Sequence, residues 1–175
     1  MFGALGAQAQ LDALDNRGRI GSEGTLALHA RSLRNSGQIA GANVRLQADA
    51  LDNRDGVIGS TTGALDLAAT QLDNRAGTLR SAGALSLSVD AALDNREGRI
   101  DSDEAAQIRA GALDNSGGRI VAGSADVQVD QHLDNTGGLI GTREGDLLLQ
   151  AGALGNQAGT VQAASRAQLQ VAAAL

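Results

Sequence analysis

The sequence predicts an all-β fold, a parallel β-helix in which about eight coils of 18 to 21 residues stack into a rod. Three observations predict it. An Asn recurs at near-regular spacing from end to end of the 175 residues. Each recurrence carries a Leu before it and a Gly and an aliphatic residue after it. The second half of each unit alternates apolar and polar residues, the period of a strand.

The Asn series comprises Asn16, Asn35, Asn53, Asn74, Asn95, Asn115, Asn135 and Asn156, and only Asn43 stands outside it. Two residues before each lies Leu14, Leu33, Leu51, Leu72, Leu93, Leu113, Leu133 or Leu154. Two or three residues after each comes Gly18, Gly37, Gly56, Gly77, Gly98, Gly118, Gly138 or Gly159, followed two residues later by Ile, Leu or Val. Self-similarity at this period is the mark of a solenoid. The coils start at residues 14, 33, 51, 72, 93, 113, 133 and 154, after a partial coil at 1–13, and Leu175 opens a truncated ninth. The whole of 1–175 reads as a single repeat domain, cut from a longer array.

Within a unit the Leu and Asn of Leu-Asp-Asn share one side of the strand, so the Asn faces inward at the strand end. Identical amides one coil apart can then bond head to tail, which satisfies a polar group that would otherwise be costly inside. The Gly that follows marks the turn, and both Asn and Gly tolerate left-handed backbone, so the corner is encoded twice. The alternating segments, such as Leu26/Leu28, Val44/Leu46, Leu65/Leu67 and Leu85/Leu87, supply the other inward rows. Each unit therefore holds two or three short strands, of about 3 to 5 residues. A lone coil buries too little to offset the entropy of ordering its backbone, so stability must come from the neighbouring coils.

Composition agrees. There is no Cys, Pro, Trp or Tyr, Phe2 is the only aromatic residue, and every basic residue is Arg. A core of Leu, Ile, Val and Ala suits thin identical layers better than an irregular interior that needs aromatic anchors. The absence of Cys excludes disulfides and thiolate metal sites. A net charge of −6 argues against nucleic acid or an anionic membrane as a partner. No apolar run is long enough to span a bilayer, and Met1-Phe2-Gly3-Ala4-Leu5 lacks the pattern of a signal peptide, so any export signal is expected outside this chain.

The outward neighbours of the Leu and Asn are charged: Asp15, Asp52, Asp73, Asp94, Asp114 and Asp134, with Arg17, Arg54, Arg75 and Arg96 two residues after four of them. Stacked carboxylates repel by about 1 kcal/mol per pair in water, and the arginine column offsets this. The reading is a solvated charge ladder, because Ca²⁺ would require clustered oxygen ligands.

The motif Leu-Asp-Asn-Arg-x-Gly-x-Ile-x-Ser, followed by Gly-x-Leu-x-Leu-x-Ala, resembles the repeats of filamentous haemagglutinins and contact-dependent inhibition exoproteins of Gram-negative bacteria. Asp52-Asn53-Arg54-Asp55-Gly56-Val57-Ile58-Gly59-Ser60 and Asp73-Asn74-Arg75-Ala76-Gly77-Thr78-Leu79-Arg80-Ser81 are the cleanest copies. The resemblance implies a right-handed parallel β-helix, exported by two-partner secretion through an outer-membrane transporter and displayed at the bacterial surface or released. It also implies a receptor on a host cell or a neighbouring bacterium. The secretion domain and any toxin or receptor-binding region of such proteins are not apparent here.

No catalytic, cofactor or metal residues are assigned. His29 and His132 read as outward surface residues, and no phosphate loop, zinc motif or nucleophile elbow is present. Gly117-Gly118 and Gly137-Gly138 read as repeat turns. Some parallel β-helices act on polysaccharides, but their sites cluster carboxylates in one groove; here the only acidic cluster, Asp101, Asp103 and Glu104, reads as a solvated turn. A leucine-rich repeat fits less well, because its Asn falls three residues after a Leu and not two. The function expected is that of a shaft that presents distal binding or toxin domains. Direct adhesion through the charged faces is the alternative. Open coils at both ends expose unpaired edges, and end-to-end self-association is expected.

Overall fold

A computed structural model describes residues 6–174 and contains no helix among them. Every coil consists of one long and one short strand. The chain begins with β1 (Ala7–Asn16) and β2 (Arg19–Gly21), then β3 (Thr25–Asn35) and β4 (Gln38–Gly41), β5 (Asn43–Asp52) and β6 (Val57–Ser60). It continues with β7 (Leu65–Asp73) and β8 (Thr78–Ser81), β9 (Leu85–Asp94) and β10 (Arg99–Ser102), β11 (Ala105–Asp114) and β12 (Arg119–Ala122). The last coils contain β13 (Ser124–Asp134) and β14 (Leu139–Thr142), β15 (Leu147–Gly155) and β16 (Thr160–Gln162), and β17 (Ala167–Ala174).

The nine long strands form one parallel sheet in the order β1-β3-β5-β7-β9-β11-β13-β15-β17, and the eight short strands form a second, β2 through β16. Equivalent residues lie over one another: Leu46 pairs with Leu67, Leu67 with Leu87 and Leu87 with Ile108. The fold is thus a parallel β-solenoid of about eight turns, as the repeat spacing predicts. At about 4.8 Å per layer, eight coils extend roughly 38 Å.

The short strands, of three or four residues, match the expected length, but the long strands, of 8 to 11, exceed it. The alternating segment and Leu-Asp-Asn are one continuous strand and not two, because the ladder of hydrogen bonds runs through the bend between them. The bend is visible in the side chains. In β3, Leu26, Leu28 and Ala30 face inward, Arg31 and Ser32 both face outward, and Leu33 and Asn35 face inward again. Two successive outward residues change the parity of the strand, and so turn a corner without breaking it. Longer coils accommodate their extra residue here: β9 places Asp90, Ala91 and Ala92 outward, with a register shift against β7.

The core is a set of aliphatic columns. Ile39, Ile58, Leu79, Ile100, Ile120 and Ile140 stack in the short sheet and are essentially inaccessible. They face columns from the long sheet such as Leu33, Leu51, Leu72, Leu93, Leu113 and Leu133. Layering weakens at both ends: Leu14, Ile20, Leu154 and Val161 are only partly buried, and Leu169, expected inward, is 46% exposed on the last strand. The alternating pattern there is unchanged. No layer among the described residues covers that strand. Met1, Phe2 and Leu175 lie outside the described residues.

Candidate functional site

The eight repeat asparagines form a single column along the corner after the long strands, and Asn35 through Asn135 are fully buried. Nδ2 of Asn16 donates to Oδ1 of Asn35 at 2.7 Å, and the same bond, at the same length, links Asn35 to Asn53, Asn53 to Asn74, Asn74 to Asn95, Asn95 to Asn115, Asn115 to Asn135, and Asn135 to Asn156. Each Nδ2 also approaches the carbonyl of the glycine in its own turn, for example Gly56 and Gly77 at 3.3 Å. Most reach a third carbonyl in the next coil, such as that of Thr78 from Asn53. Three acceptors around one nitrogen fix the amide orientation, so every bond of the ladder points the same way along the rod.

The glycines that follow line the turn beside this column, but not in the backbone conformation expected of them. The left-handed residue is the one before the glycine: Asp55, Ala76, Glu97, Gly117, Gly137 and Ala158 have φ between 52° and 63°. The first two turns, Asn16-Arg17-Gly18 and Asn35-Ser36-Gly37, are one residue shorter and lack it. Gly56, Gly77, Gly98, Gly118, Gly138 and Gly159 are needed for space. A Cβ at any of them would lie 2.1 to 2.2 Å from the backbone oxygen of the Asn one coil earlier, and 2.4 to 2.8 Å from Oδ1 of its own Asn. A Cβ on Gly37 would lie 2.1 Å from the Gly18 oxygen, whereas one on Gly18 meets nothing within 4 Å. The corner is therefore encoded by one position for conformation and another for clearance.

Outside the amide column runs a chain of ion pairs. Arg54 grips Asp52 in its own turn (2.6 Å) and lies 3.5 Å from Asp73 in the next. Arg75 does the same with Asp73 and Asp94, and Arg96 with Asp94 and Asp114. Arg34 joins the lower end at Asp52, and Arg17 holds Asp15. The Arg54 guanidinium keeps the Asp52 carboxyl below the usual range; burial pushes Asp94 up, but Arg96 and its backbone N–H outweigh this and leave it lowered. The last two carboxylates have no arginine in their own turns, and Asp114 has only the more distant Arg96 at 3.5 Å. Asp114 accepts from Ser116, and Asp134 from the Thr136 backbone, and the Thr136 hydroxyl is the main cause of the lowered Asp134.

Of the acidic cluster, Asp103 and Glu104 are exposed in a turn as the sequence predicts, but Asp101 is not. It sits on β10 with only 5% of its side chain exposed. Arg99 from the same strand, Arg119 from β12 (3.8 Å) and Arg143 from the turn after β14 (3.3 Å) cover it. Arg143 also donates to the Ser102 carbonyl at 2.7 Å and so straps the face two coils back. Aligning the coils reveals part of this, since Asp101 stands in the column of Gly21, Ala40 and Gly59 beside Arg80, with Arg99 over Arg119. The reach of Arg143 appears only in three dimensions.

Neither histidine completes a reactive set. His29 is exposed in a shallow groove on the long sheet with Gln10, Arg45, Gln47, Asp66 and Ser88. His132 is half-buried, not fully outward; it lies in line with Ala112 and Ala153 near Asp114 and Asp134, and its Nδ1 is buried without a hydrogen-bond partner among the described residues. Among those residues no group of three His, Cys, Asp or Glu side chains could hold a metal ion.

Comparison with known proteins yields one match. The haemagglutinin repeat family matches residues 3–97, 80–151 and 142–175, overlapping segments that together cover almost the whole chain. No curated protein and no solved structure matches it. The segments run through all eight coils, amide column and turns included, and the chain belongs to the haemagglutinin repeat family.

Proposed function

We propose that this chain is a length of shaft in a secreted bacterial surface adhesin, a spacer that holds a distal binding or toxin domain away from the cell and performs no chemistry itself. The observation that carries this reading is the unbroken amide column, with a 2.7 Å bond at every one of its seven steps. An element repeated identically in each layer does not define a local site. It defines a direction and a length. Membership in the haemagglutinin repeat family supports the adhesin context, and export through a two-partner outer-membrane transporter fits coils that gain stability only from neighbours, each emerging coil adding to the one already folded.

The test is to delete residues 74–94, one whole coil from Asn74 up to Asn95, from the protein that carries this array. The reading expects surface display and distal activity to persist with the reach reduced by about 5 Å. Removing ten residues from the same region breaks the register and abolishes display. Equal loss of distal activity from both deletions would refute a spacer role. The alternative reading, adhesion by the shaft itself, is favoured by the polar groove around His29, Arg45, Gln47 and Asp66. It predicts glycan-array binding by this chain alone, lost on substitution of Arg45 and Asp66.

A further inference from the structure

Two adjoining faces carry opposite unbalanced charge at nearly the same height of the stack. On the strands of the short sheet, Arg80, Arg99 and Arg119 stand against only Asp101, which leaves two positive charges on the sheet; the turns that follow carry Arg143 against Asp103, Glu104 and Glu144, so the surplus is confined to the strands. The arginines remain 38 to 63% exposed although they pair with the buried Asp101 or with Asp103. On the corner after the long strands the balance inverts. Through the coil of Asn95 each carboxylate of the column has its arginine, but in the next two coils that arginine is replaced by Ser116 and Thr136. Asp114 shares Arg96 with Asp94, Asp134 accepts from Thr136, and Glu97 is exposed beside them.

The fold matches these rows in spacing. Arg99 pairs in register with Arg119, and Asp114 with Asp134, so each row advances by one layer, about 4.8 Å. Any two rows on copies of the same solenoid lying parallel have equal pitch and can pair at every step. We propose that these faces form a lateral interface between copies of this chain, with Arg99 and Arg119 of one copy paired to Asp114 and Asp134 of a second lying parallel beside it. The contact is heterologous, since each copy retains a free row of each sign, and it therefore builds an open bundle. A second copy fits because it brings a complementary row of each sign at the same pitch, although two chains of charge −6 repel each other at range. At physiological salt that repulsion is screened beyond about 8 Å, while ion pairs in contact are not. Exposed pairs contribute little singly, so two chains associate weakly and repetition supplies the avidity.

Sedimentation equilibrium of the 175-residue chain tests this. Self-association is expected near physiological salt and is expected to be lost near about 1 M, where the screening length falls to about 3 Å. Arg119→Glu, and separately Asp114→Asn with Asp134→Asn, should each weaken association by about tenfold. Mixing the two variants should restore dimers and nothing larger, because each supplies the row that the other lacks. The Asn variant keeps the acceptor oxygens used by Ser116 and Thr136, so it decides the matter alone if circular dichroism shows Arg119→Glu misfolded. A wild-type chain that is monomeric at both salt concentrations, association that both variants retain, or a mixture no better than either variant would each overturn the proposal. Stacking through the open ends is distinguished by its persistence at high salt.

Discussion

Gly98→Ala separates the two physical roles in the turn. The added methyl would sit 2.2 Å from the Asn74 oxygen and 2.6 Å from Asn95 Oδ1, where ordinary contact begins at 3.4 Å. The nearest atom is backbone and cannot swing aside, so the two layers must part locally by about 1.2 Å, an overpacking cost of about 1–3 kcal/mol. The same displacement lengthens the 2.7 Å bond from Asn74 to Asn95 beyond hydrogen-bonding range and forfeits about 0.5–1.5 kcal/mol more. The total is about 2–4 kcal/mol, which for a chain of this size lowers the melting midpoint by about 5–15 °C. Two controls share the motif but not the contact. Gly137→Ala meets no atom within 4 Å, and its φ of +62° is one that Ala76 and Ala158 already adopt in the equivalent turns, so it should cost only about 1 kcal/mol. Gly18→Ala, which also meets nothing within 4 Å, should be near neutral. Thermal denaturation of the three variants by circular dichroism gives the order. If Gly137→Ala proved as damaging as Gly98→Ala, backbone conformation and not interlayer clearance would govern the turn.

Three further outcomes follow from the same geometry. Asn95→Asp places a carboxylate oxygen against Asn115 Oδ1 and the Gly98 carbonyl where an N–H now donates, and should cost about 2–5 kcal/mol in urea denaturation; a cost under about 0.5 kcal/mol would show the column to be dispensable. Asp101→Ala should cost about 1–3 kcal/mol and Arg143→Ala less, with a double-mutant cycle showing coupling between residues two coils apart, since Arg143 bridges to Asp101 and to the Ser102 carbonyl. Asp52, Asp94, Asp134 and Asp146 have folded pKa values below their ordinary ones, so their contribution is complete above about pH 3.9 and is lost as the pH falls through the folded values. The melting temperature should therefore stay level from neutral pH to about pH 4 and drop below it; a decline already under way near pH 6 would contradict this assignment.

The inward residues were legible in the sequence because each has one task repeated in every coil. Leu72, Asn74 and Leu79 occupy equivalent places to Leu51, Asn53 and Ile58, and a spacing that recurs eight times leaves little freedom in how layers superpose. The bend inside each long strand was not legible, because Arg31-Ser32 or Thr70-Gln71 reads equally well as a break between strands; only the continuity of the hydrogen-bond ladder decides it. The left-handed residue was missed for a different reason. Asp, Ala, Glu and Gly all occupy that position, so no residue type marks it, whereas the neighbouring glycine has a role that becomes visible only when the preceding coil is in place.

That contrast bears on where function can reside in such a chain. A position whose partner is its own equivalent in the next layer cannot change in one coil without breaking contacts in two, so the core and the amide column hold the rod together and carry no individuality. Outward positions have no such obligation. Where they repeat, as Arg54, Arg75 and Arg96 do, they neutralise the carboxylates beside them. Where they depart, as Ser116 and Thr136 do from that arginine column, or as Arg80 and Asp101 do from the Gly21, Ala40 and Gly59 that precede them, the departure removes or adds a charge that the fold did not require. The columns also break at Arg34 and Ser36 and at Gly155 and Gln157, but between Arg80 and Arg143 the departures fall on two adjoining faces and give that stretch of the rod a charge pattern of its own.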